Sequence, residues 1–219
     1  MPKGIPSATV SRLVTYLRIL VQLEREQTPR TSSEQLAAEA QVSAFQVRKD
    51  LAYFGSFGRR GSGYDVASLR RELRRILGLD RPWNVAIVGM GRLGQALADY
   101  PQFDQYDFKL VAGFDIDEVK IGVRDGGLAV HHLDDLDRLV GELSLDIAFL
   151  TVPVEAAQAA ADGIVKAGFQ GILNFVPTVI NVPAHVRVES ADFLAGLKRL
   201  AFFLTAEPLM EGAIQETAA

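Results

Sequence analysis

A glycine motif that follows a short apolar run constrains this 219-residue chain more than any other feature. Residues 85–88 are typical of a buried strand, and Gly89, Gly91 and Gly94 follow at G-x-G-x-x-G spacing. Residues 93–98 favour a helix, and a second apolar strand, residues 108–114, ends in Asp115, 21 residues after Gly94. A strand, a glycine loop, a helix and a second strand ending in an acid together predict a dinucleotide-binding site.

Each position of this motif has an expected role. Gly89 and Gly91, with Met90 between them, permit a tight turn and a close approach of the backbone to a pyrophosphate, and Gly94, after Leu93, lets the helix pack on the strand. Asp115 is expected to accept hydrogen bonds from the adenosine ribose and to repel a 2′-phosphate. Because residues 116–118 contain no arginine, NAD(H) is favoured over NADP(H). Arg92 is free to contact phosphate, although a solvated loop arginine is the alternative.

The pattern of alternating strands and helices continues downstream. Strands are predicted at residues 145–150 and 171–175, with a helix over 155–167 between them, which favours a parallel, doubly wound sheet. Ligands bind at the carboxyl ends of strands in such sheets. The residues predicted at those ends are Thr151, Val152, Pro153, Asn174, Phe175 and Pro177. Turns that simply end the strands are the alternative.

Charge divides the chain into two parts. Residues 1–81 carry 14 basic and 8 acidic residues, whereas the whole chain has a net charge of −4. A protein that is acidic overall can still bind DNA through one basic end. A solvated basic face without a partner is the alternative.

The basic part contains a predicted helix-turn-helix. Apolar spacing predicts a helix from residue 7 to about 26, and capping-box patterns at Thr31 to Glu34 and Ser43 to Gln46 predict helices over 34–40 and 44–54. The second helix of such a unit enters the major groove of DNA. The residues that occupy or flank its predicted DNA-facing side are Gln46, Arg48, Lys49 and Tyr53.

A glycine-rich segment with two adjacent arginines follows. Residues 55–64 predict a tight two-stranded hairpin whose tip, Arg59 and Arg60, can reach a minor groove. A flexible linker is the alternative. Asp65 is predicted to cap a helix over 66–77 that ends at Gly78, and residues 78–82 are expected to be a linker.

Composition excludes several classes. The chain has no cysteine, which excludes disulfides and thiolate metal sites, and it shows no metal-ligand spacing. No apolar run approaches the roughly 20 residues of a membrane span, and the start lacks a signal-peptide core, so a cytoplasmic protein without a membrane partner is expected.

Residues 192–204 predict a strongly apolar amphipathic helix. Packing across a subunit boundary and folding back onto its own sheet are both open for that helix.

With these segments in place, the chain closely resembles the bacterial redox-sensing repressor family Rex over essentially its whole length. The segments that carry the resemblance are residues 46–51 with Phe54 and Gly55, the wing end 61–64, the glycine motif 89–94, residues 173–175 and residues 192–197. The resemblance implies an α/β protein with an N-terminal winged helix-turn-helix domain (1–79), a doubly wound parallel-sheet Rossmann domain (80–192) and a C-terminal domain-swapped helix and tail (193–219).

The resemblance also implies a function. It implies a homodimer that binds double-stranded operator DNA with inverted repeats, senses NADH against NAD⁺, and is released from DNA by NADH. By position, Phe193 would sit against the partner's nicotinamide pocket, and Asp192 would meet Tyr100 of the partner chain.

Two other functions compete with this interpretation. A nicotinamide-dependent dehydrogenase with a basic appendage would need a proton donor, but the three histidines are His131, His132 and His185, and the first two are expected at the surface. A structural DNA-binding protein with a vestigial nucleotide fold would show no cofactor affinity.

Overall fold

The fold was analysed in a computed structural model, which describes residues 4–58, 63–101, 103–123 and 128–217. The chain divides into two compact units, residues 1–81 and 82–219. No helix among the described residues is long and apolar enough to cross a membrane.

The first unit is mainly helical. Its helices are α1 (Ser7–Arg25), α2 (Ser33–Ala40), α3 (Ala44–Ala52) and α4 (Val66–Ile76), and its strands are β1 (Arg30–Thr31) and β2 (Tyr64–Asp65). The predicted helices are confirmed. Leu13 and Leu20 of α1 are fully buried against Leu36, Val47 and Leu73 from the other three helices. The unit therefore has an apolar core of its own.

The turn between α2 and α3 brings the two helices together. Gln41 adopts the left-handed conformation at the end of α2, and the Ser43 hydroxyl accepts the backbone N–H of Gln46 at 3.1 Å to cap α3. The capping box of α2 lies one residue later than predicted. Ser32 and Gln35 form it, because the Thr31 backbone is paired in β1.

The hairpin predicted over residues 55–64 falls largely on residues 59–62, which lie outside the described residues, so it stays a prediction. Tyr64 and Asp65 pair with Thr31 and Arg30 in an antiparallel ladder, and the described residues 55–58 contain no strand. Arg59 and Arg60, the predicted tip, lie outside the described residues. Asp65 does cap α4, accepting from the Ser68 N–H at 2.8 Å.

The second unit contains a seven-stranded sheet. Its strands are β3 (Trp83–Val88), β4 (Phe108–Asp115), β5 (Gly122–Val123), β6 (Ala129–His132), β7 (Ile147–Leu150), β8 (Gly171–Asn174) and β9 (Arg187–Ser190). Its helices are α5 (Arg92–Ala98), α6 (Leu136–Glu142), α7 (Ala157–Ala167) and α8 (Phe193–Thr217). The strand order is β5-β6-β4-β3-β7-β8-β9, and only β5 is antiparallel to its neighbour. The predicted parallel Rossmann-like sheet is confirmed, with six parallel strands.

Alternate residues of β3 pack on opposite faces of the sheet. Ala86 and Val88 lie in the apolar cluster shared with α6 and α7, whereas Val85 and Ile87 lie in the cluster on the α5 side. The order of the sheet reverses at β3, which lies between β4 and β7. The carboxyl ends of β3 and β7 therefore form the switch point at which open α/β sheets bind ligands.

Candidate functional site

A cavity of about 900 Å³ opens at this switch point. Its walls come from the loops that follow β3, β4, β7 and β8, and from the beginning of α8. The lining residues that the sequence predicted are Gly89, Gly91, Leu93, Asp115, Thr151, Val152, Pro153, Phe175, Pro177 and Phe193. Segments far apart in the sequence thus meet at one edge of the sheet, as expected for strand-end loops.

The glycine loop is shaped by close contacts and by one open position. Gly89 has φ +100°, and a Cβ there would lie 2.8 Å from the Val152 nitrogen. A Cβ at Gly94 would collide with the Gly89 carbonyl oxygen, so the close packing of α5 on the loop requires this glycine. A Cβ at Gly91 would meet nothing within 4 Å, although Gly91 lines the cavity. Gly91 therefore leaves space in which the backbone can approach a pyrophosphate, and in this respect the loop fits a dinucleotide.

Asp115 is buried at the end of β4 and is already engaged by three donors. Its Oδ2 accepts the Met90 N–H at 2.7 Å and the Lys120 ammonium at 2.9 Å, and its Oδ1 accepts the Asp117 N–H at 3.0 Å. Burial opposes ionisation, but the Lys120 ammonium and the two backbone N–H groups together lower the pKa of Asp115 below its ordinary value. Asp115 is thus a carboxylate with one oxygen, Oδ1, that retains capacity for a further hydrogen bond.

Lys120 is the residue at this end of the cavity that the sequence prediction missed. It lines the cavity and pairs with Asp115, so the carboxylate is not the uncompensated charge that was predicted to repel a 2′-phosphate. The signal was present as a lysine five residues after Asp115. It lies beyond residues 116–118, the segment that directly follows the aspartate.

The remaining lining is strongly apolar. Val152, Pro153 and Phe175 face the cavity with Phe193, whose side chain is 70% exposed. The Thr151 hydroxyl donates to the Gly89 carbonyl oxygen at 2.7 Å and so ties the end of β7 to the glycine loop. An apolar chamber with a few polar groups at one end suits a ligand with both aromatic and ribose parts.

Four residues predicted to bind the cofactor are not among the lining residues. Met90 is 1% exposed in the core and contributes only its backbone N–H to Asp115. The buried Asn174 amide donates to the Thr178 carbonyl and accepts the Val176 N–H, so it closes the turn after β8. Arg92 is exposed at the first position of α5, and Gly94 is buried beneath the loop.

Two residues predicted to read DNA are bonded within the first unit. The Arg48 guanidinium donates to the Ser33 hydroxyl at 2.8 Å and to the Glu34 carboxylate at 3.2 Å. The Gln46 amide donates to the buried Asp50 carboxylate at 2.8 Å. Both side chains therefore help to hold α3 in place, and their contact with DNA stays a prediction.

Asp50 is fully buried and is the centre of this bonding. Its carboxylate accepts the Arg12 guanidinium through two nitrogens at 2.6 and 2.7 Å, the Tyr16 hydroxyl at 3.0 Å and the Thr9 hydroxyl at 3.1 Å. Burial opposes its ionisation, but these donors together with Gln46 lower the pKa of Asp50 below its ordinary value. The arrangement fixes α3 to α1.

The outer side of α3 carries a different set of residues. Phe45, Lys49 and Tyr53 lie one turn apart and are all exposed. Lys49 and Tyr53 were predicted to face DNA, whereas Phe45 was missed because an apolar residue at this spacing is more often part of a core. This outer side therefore presents a ring, an ammonium and a phenol to solvent.

The predicted interface residues lie in the second unit. The Asp192 Oδ1 accepts the Leu194 and Ala195 N–H groups at 2.8 and 3.2 Å and so caps α8. Tyr100 is half exposed, and its ring packs edge-on against Phe103 at 5.3 Å. Phe193 lines the cavity of its own chain. The placement of these residues against a partner chain stays a prediction.

The histidines do not resemble a catalytic set. His131 and His132 form the end of β6 and pair with Phe114 and Asp115 of β4, so they belong to the sheet rather than to a surface loop. Neither they nor His185 is among the cavity-lining residues. The geometry thus offers no argument for the dehydrogenase interpretation.

A basic helical unit joined to a Rossmann-like unit with a dinucleotide-shaped cavity defines a transcription regulator that responds to a nucleotide cofactor. Residues 4–52 match the family described as "Putative DNA-binding protein N-terminus", and residues 80–178 match the family described as "CoA binding domain".

Curated relatives and solved structures are more specific. The chain is 59% identical to a redox-sensing transcriptional repressor Rex of Thermus thermophilus, over 90% of this chain and 93% of that protein. It is 50% identical to one of Deinococcus radiodurans, over 91% and 93% of the two chains. The fold matches the Rex-family repressor RSP in complex with NAD⁺ and operator DNA, with a TM-score of 0.89, 35% identity and coverage of 97% of this chain and 98% of that one. It also matches RSP in complex with NADH, with a TM-score of 0.86 and 33% identity over 96% of this chain and 99% of that one.

The chain belongs to the Rex family of redox-sensing transcriptional repressors. Membership of this family identifies it as a regulator and not an enzyme, and excludes the dehydrogenase interpretation.

Proposed function

We propose that this chain represses transcription as a homodimer on an inverted-repeat operator, and that NADH releases it from DNA. NAD⁺ binds the same cavity but leaves the complex with DNA intact. Each subunit contributes one winged helix-turn-helix domain, and α8 of each subunit packs on its partner. The regulator works in the cytoplasm, where it meets both DNA and the nicotinamide pool.

The observation that carries this proposal is the shared wall between the cavity and α8. Asp192, Phe193 and Leu194 line the cavity and form the cap and first residues of that helix. Further along α8, Leu197, Leu200 and Leu204 are each more than half exposed. A helix with this much exposed apolar surface favours burial against another subunit. What occupies the cavity can therefore alter how α8, and with it the partner, is held.

The residues of the cavity support a nicotinamide dinucleotide. The glycine loop leaves space at Gly91 for the pyrophosphate, Asp115 has one oxygen with remaining capacity for a ribose hydroxyl, and the apolar wall suits the rings. A neutral dihydronicotinamide enters an apolar wall at a lower desolvation cost than a positively charged nicotinamide ring. Phe193 is placed to sense this difference, because it is the aromatic residue of the wall that also belongs to α8.

The geometry of DNA explains how a change between subunits becomes release. Two recognition helices must lie about 34 Å apart, one turn of B-DNA, to occupy successive half-sites. A dimer arrangement favoured by NADH with another spacing removes at least one helix from its groove. A ligand that binds both arrangements equally shifts neither, so the proposal requires NADH to prefer the released arrangement.

The test is fluorescence anisotropy of a labelled operator duplex bound by the full chain. NADH is expected to release the duplex at concentrations at which NAD⁺ does not. Phe193→Ala is expected to keep DNA binding and NADH binding but to lose release, whereas Val179→Ala, at an exposed position that does not line the cavity, should behave as the wild type. Release by neither cofactor, or equally by both, contradicts the proposal.

A further inference from the structure

Phe45 is an exposed aromatic residue at the beginning of the helix that faces DNA in the proposed function. It is the second residue of α3, and its side chain is 69% exposed. Val47 and Leu51 supply the buried face of the same helix, with 0% and 3% exposure. Any partner that covers this large apolar ring removes it from water, which lowers the free energy of the system.

The neighbours of Phe45 indicate which partner that is. Lys49 follows one turn later on the same exposed face, within a segment, residues 1–81, that carries 14 basic and 8 acidic residues. Gln46 and Arg48, the other polar residues of this helix expected to reach bases, are bonded to Asp50 and to Ser33 and Glu34. A ring beside an ammonium on a basic surface favours an anionic partner with an apolar feature of its own.

The major groove of DNA has that combination. Its edges carry hydrogen-bonding groups and the C5-methyl group of thymine, which apolar side chains including phenylalanine contact. The first turns of a recognition helix are the part that meets base edges. An apolar surface on a protein partner would be less well matched by a face that has a lysine at its centre.

We infer that Phe45 recognises thymine through its C5-methyl group, so that part of the operator sequence is read by apolar contact. Lys49 then supplies the cationic contact of the same face. This inference rests on the proposed DNA-binding function and names the base that the function selects.

Replacement of thymine by uracil in the operator tests the inference, because it removes only the methyl group. The probe is a duplex that the full-length wild-type chain selects from a randomised pool, resynthesised with deoxyuridine at one thymidine position of both half-sites at a time. Wild-type affinity is expected to fall at one position by about fourfold per methyl group, or about fifteenfold for two half-sites. Phe45→Ala should bind the thymine duplex about as weakly as the wild type binds the uracil duplex, and should lose less than twofold on uracil replacement.

Two variants separate this contact from general effects. Lys49→Ala should weaken binding to both duplexes and keep the full ratio between them. Phe45→Leu, which keeps an apolar side chain, should retain part of the ratio.

The outcomes are distinct. If the wild type selects a duplex but no single uracil position weakens it, or if Phe45→Ala keeps the wild-type ratio, Phe45 does not read thymine, although the repressor function stands. If Phe45→Ala changes only self-association, the ring covers a protein surface and the inference is wrong. If the wild type selects no duplex, both the inference and the proposed function are contradicted.

Discussion

The Lys120 ammonium donates a hydrogen bond to Oδ2 of Asp115 at 2.9 Å, at the end of β4 where the adenosine ribose of a dinucleotide is expected. The pair places a cation and an anion side by side at this end of the cavity. In the proposed function, discrimination between NADH and NADPH should therefore depend on the balance between the two groups and not on the aspartate alone.

Removal of either partner should shift cofactor preference in opposite directions. Asp115→Ala leaves the Lys120 ammonium with only the more distant Asp117 carboxylate, at 3.8 Å, so it should reduce NADH affinity and narrow the preference for NADH over NADPH. Lys120→Met leaves the carboxylate to repel a 2′-phosphate and should widen that preference. Calorimetric titration with both cofactors measures the ratio. The control is Asp137→Asn, because Asp137 also pairs with a lysine, Lys166, but lies at the surface and does not line the cavity. If both variants keep the wild-type preference for NADH over NADPH, the pair does not contact the ribose.

Two glycines of the loop should respond differently to substitution. Gly91→Val projects into open space, so the protein should fold normally and bind operator, but the side chain should fill the pyrophosphate region and abolish NADH-induced release. Gly94→Ala forces a Cβ against the Gly89 carbonyl and should lower the free energy of unfolding. Calorimetric melting and operator anisotropy distinguish the two. Normal NADH response in Gly91→Val would place the pyrophosphate elsewhere.

Lys49, the exposed cation of α3, should contribute more to DNA affinity than Arg48, which is bonded within the first unit. Lys49→Ala is expected either to cost about 1–3 kcal/mol at one base or to lower the salt slope of binding by about one, with NADH affinity unchanged. Arg48→Ala should have the smaller effect, because Arg48 is bonded to Ser33 and Glu34. Anisotropy at several salt concentrations measures both. Wild-type DNA affinity in both variants would refute the placement of α3 in the groove.

The buried Asp50 carboxylate should make stability depend on pH. Because its folded pKa is lowered, the stabilisation is complete above the unfolded value, about 3.9, and is lost as pH falls through the folded value. Asp50→Asn should therefore lower stability by roughly 3 kcal/mol at pH 7, since it leaves Arg12 without its carboxylate. The gap between variant and wild type should shrink as pH falls below about 4.

Scanning calorimetry of the full chain from pH 7 to pH 3 measures this gap. The control is Glu34→Gln, an exposed carboxylate of α2 that pairs with Arg48 at the surface and should change stability little. A gap that stays constant over the whole range would show that the pKa of Asp50 is not lowered in the folded protein.

The architecture was largely predictable because its signals are local. The buried strands read as apolar runs, and the glycine motif with Asp115 at fixed spacing placed the cavity at the correct edge of the sheet. The apolar character of α8 was also predictable from the sequence. The surface that covers this helix was not, because the sequence of one chain does not specify its partner.

Side-chain partners were not predictable in the same way. The bonds from Arg48 to Glu34 and from Arg12 to Asp50 join residues 14 and 38 positions apart, and they depend on how helices pack. The same applies to β2, whose partner β1 precedes it by more than thirty residues. Asn174 lies at the predicted strand end, but its side-chain amide is hydrogen-bonded to the backbone of Val176 and Thr178. The sequence does not show this turn.

The central claim is that the cavity and the DNA-binding face are coupled, and linkage tests it most directly. If NADH weakens operator binding by some factor, operator must weaken NADH binding by the same factor. The measurement is the dissociation constant of NADH for the full chain, from NADH fluorescence, with and without a saturating operator duplex. The dissociation constant of NAD⁺, which does not fluoresce, is measured under the same two conditions by calorimetry. The account predicts weaker NADH binding on operator by the factor found in the anisotropy titration, with little change for NAD⁺. Equal NADH affinity with and without operator would contradict it.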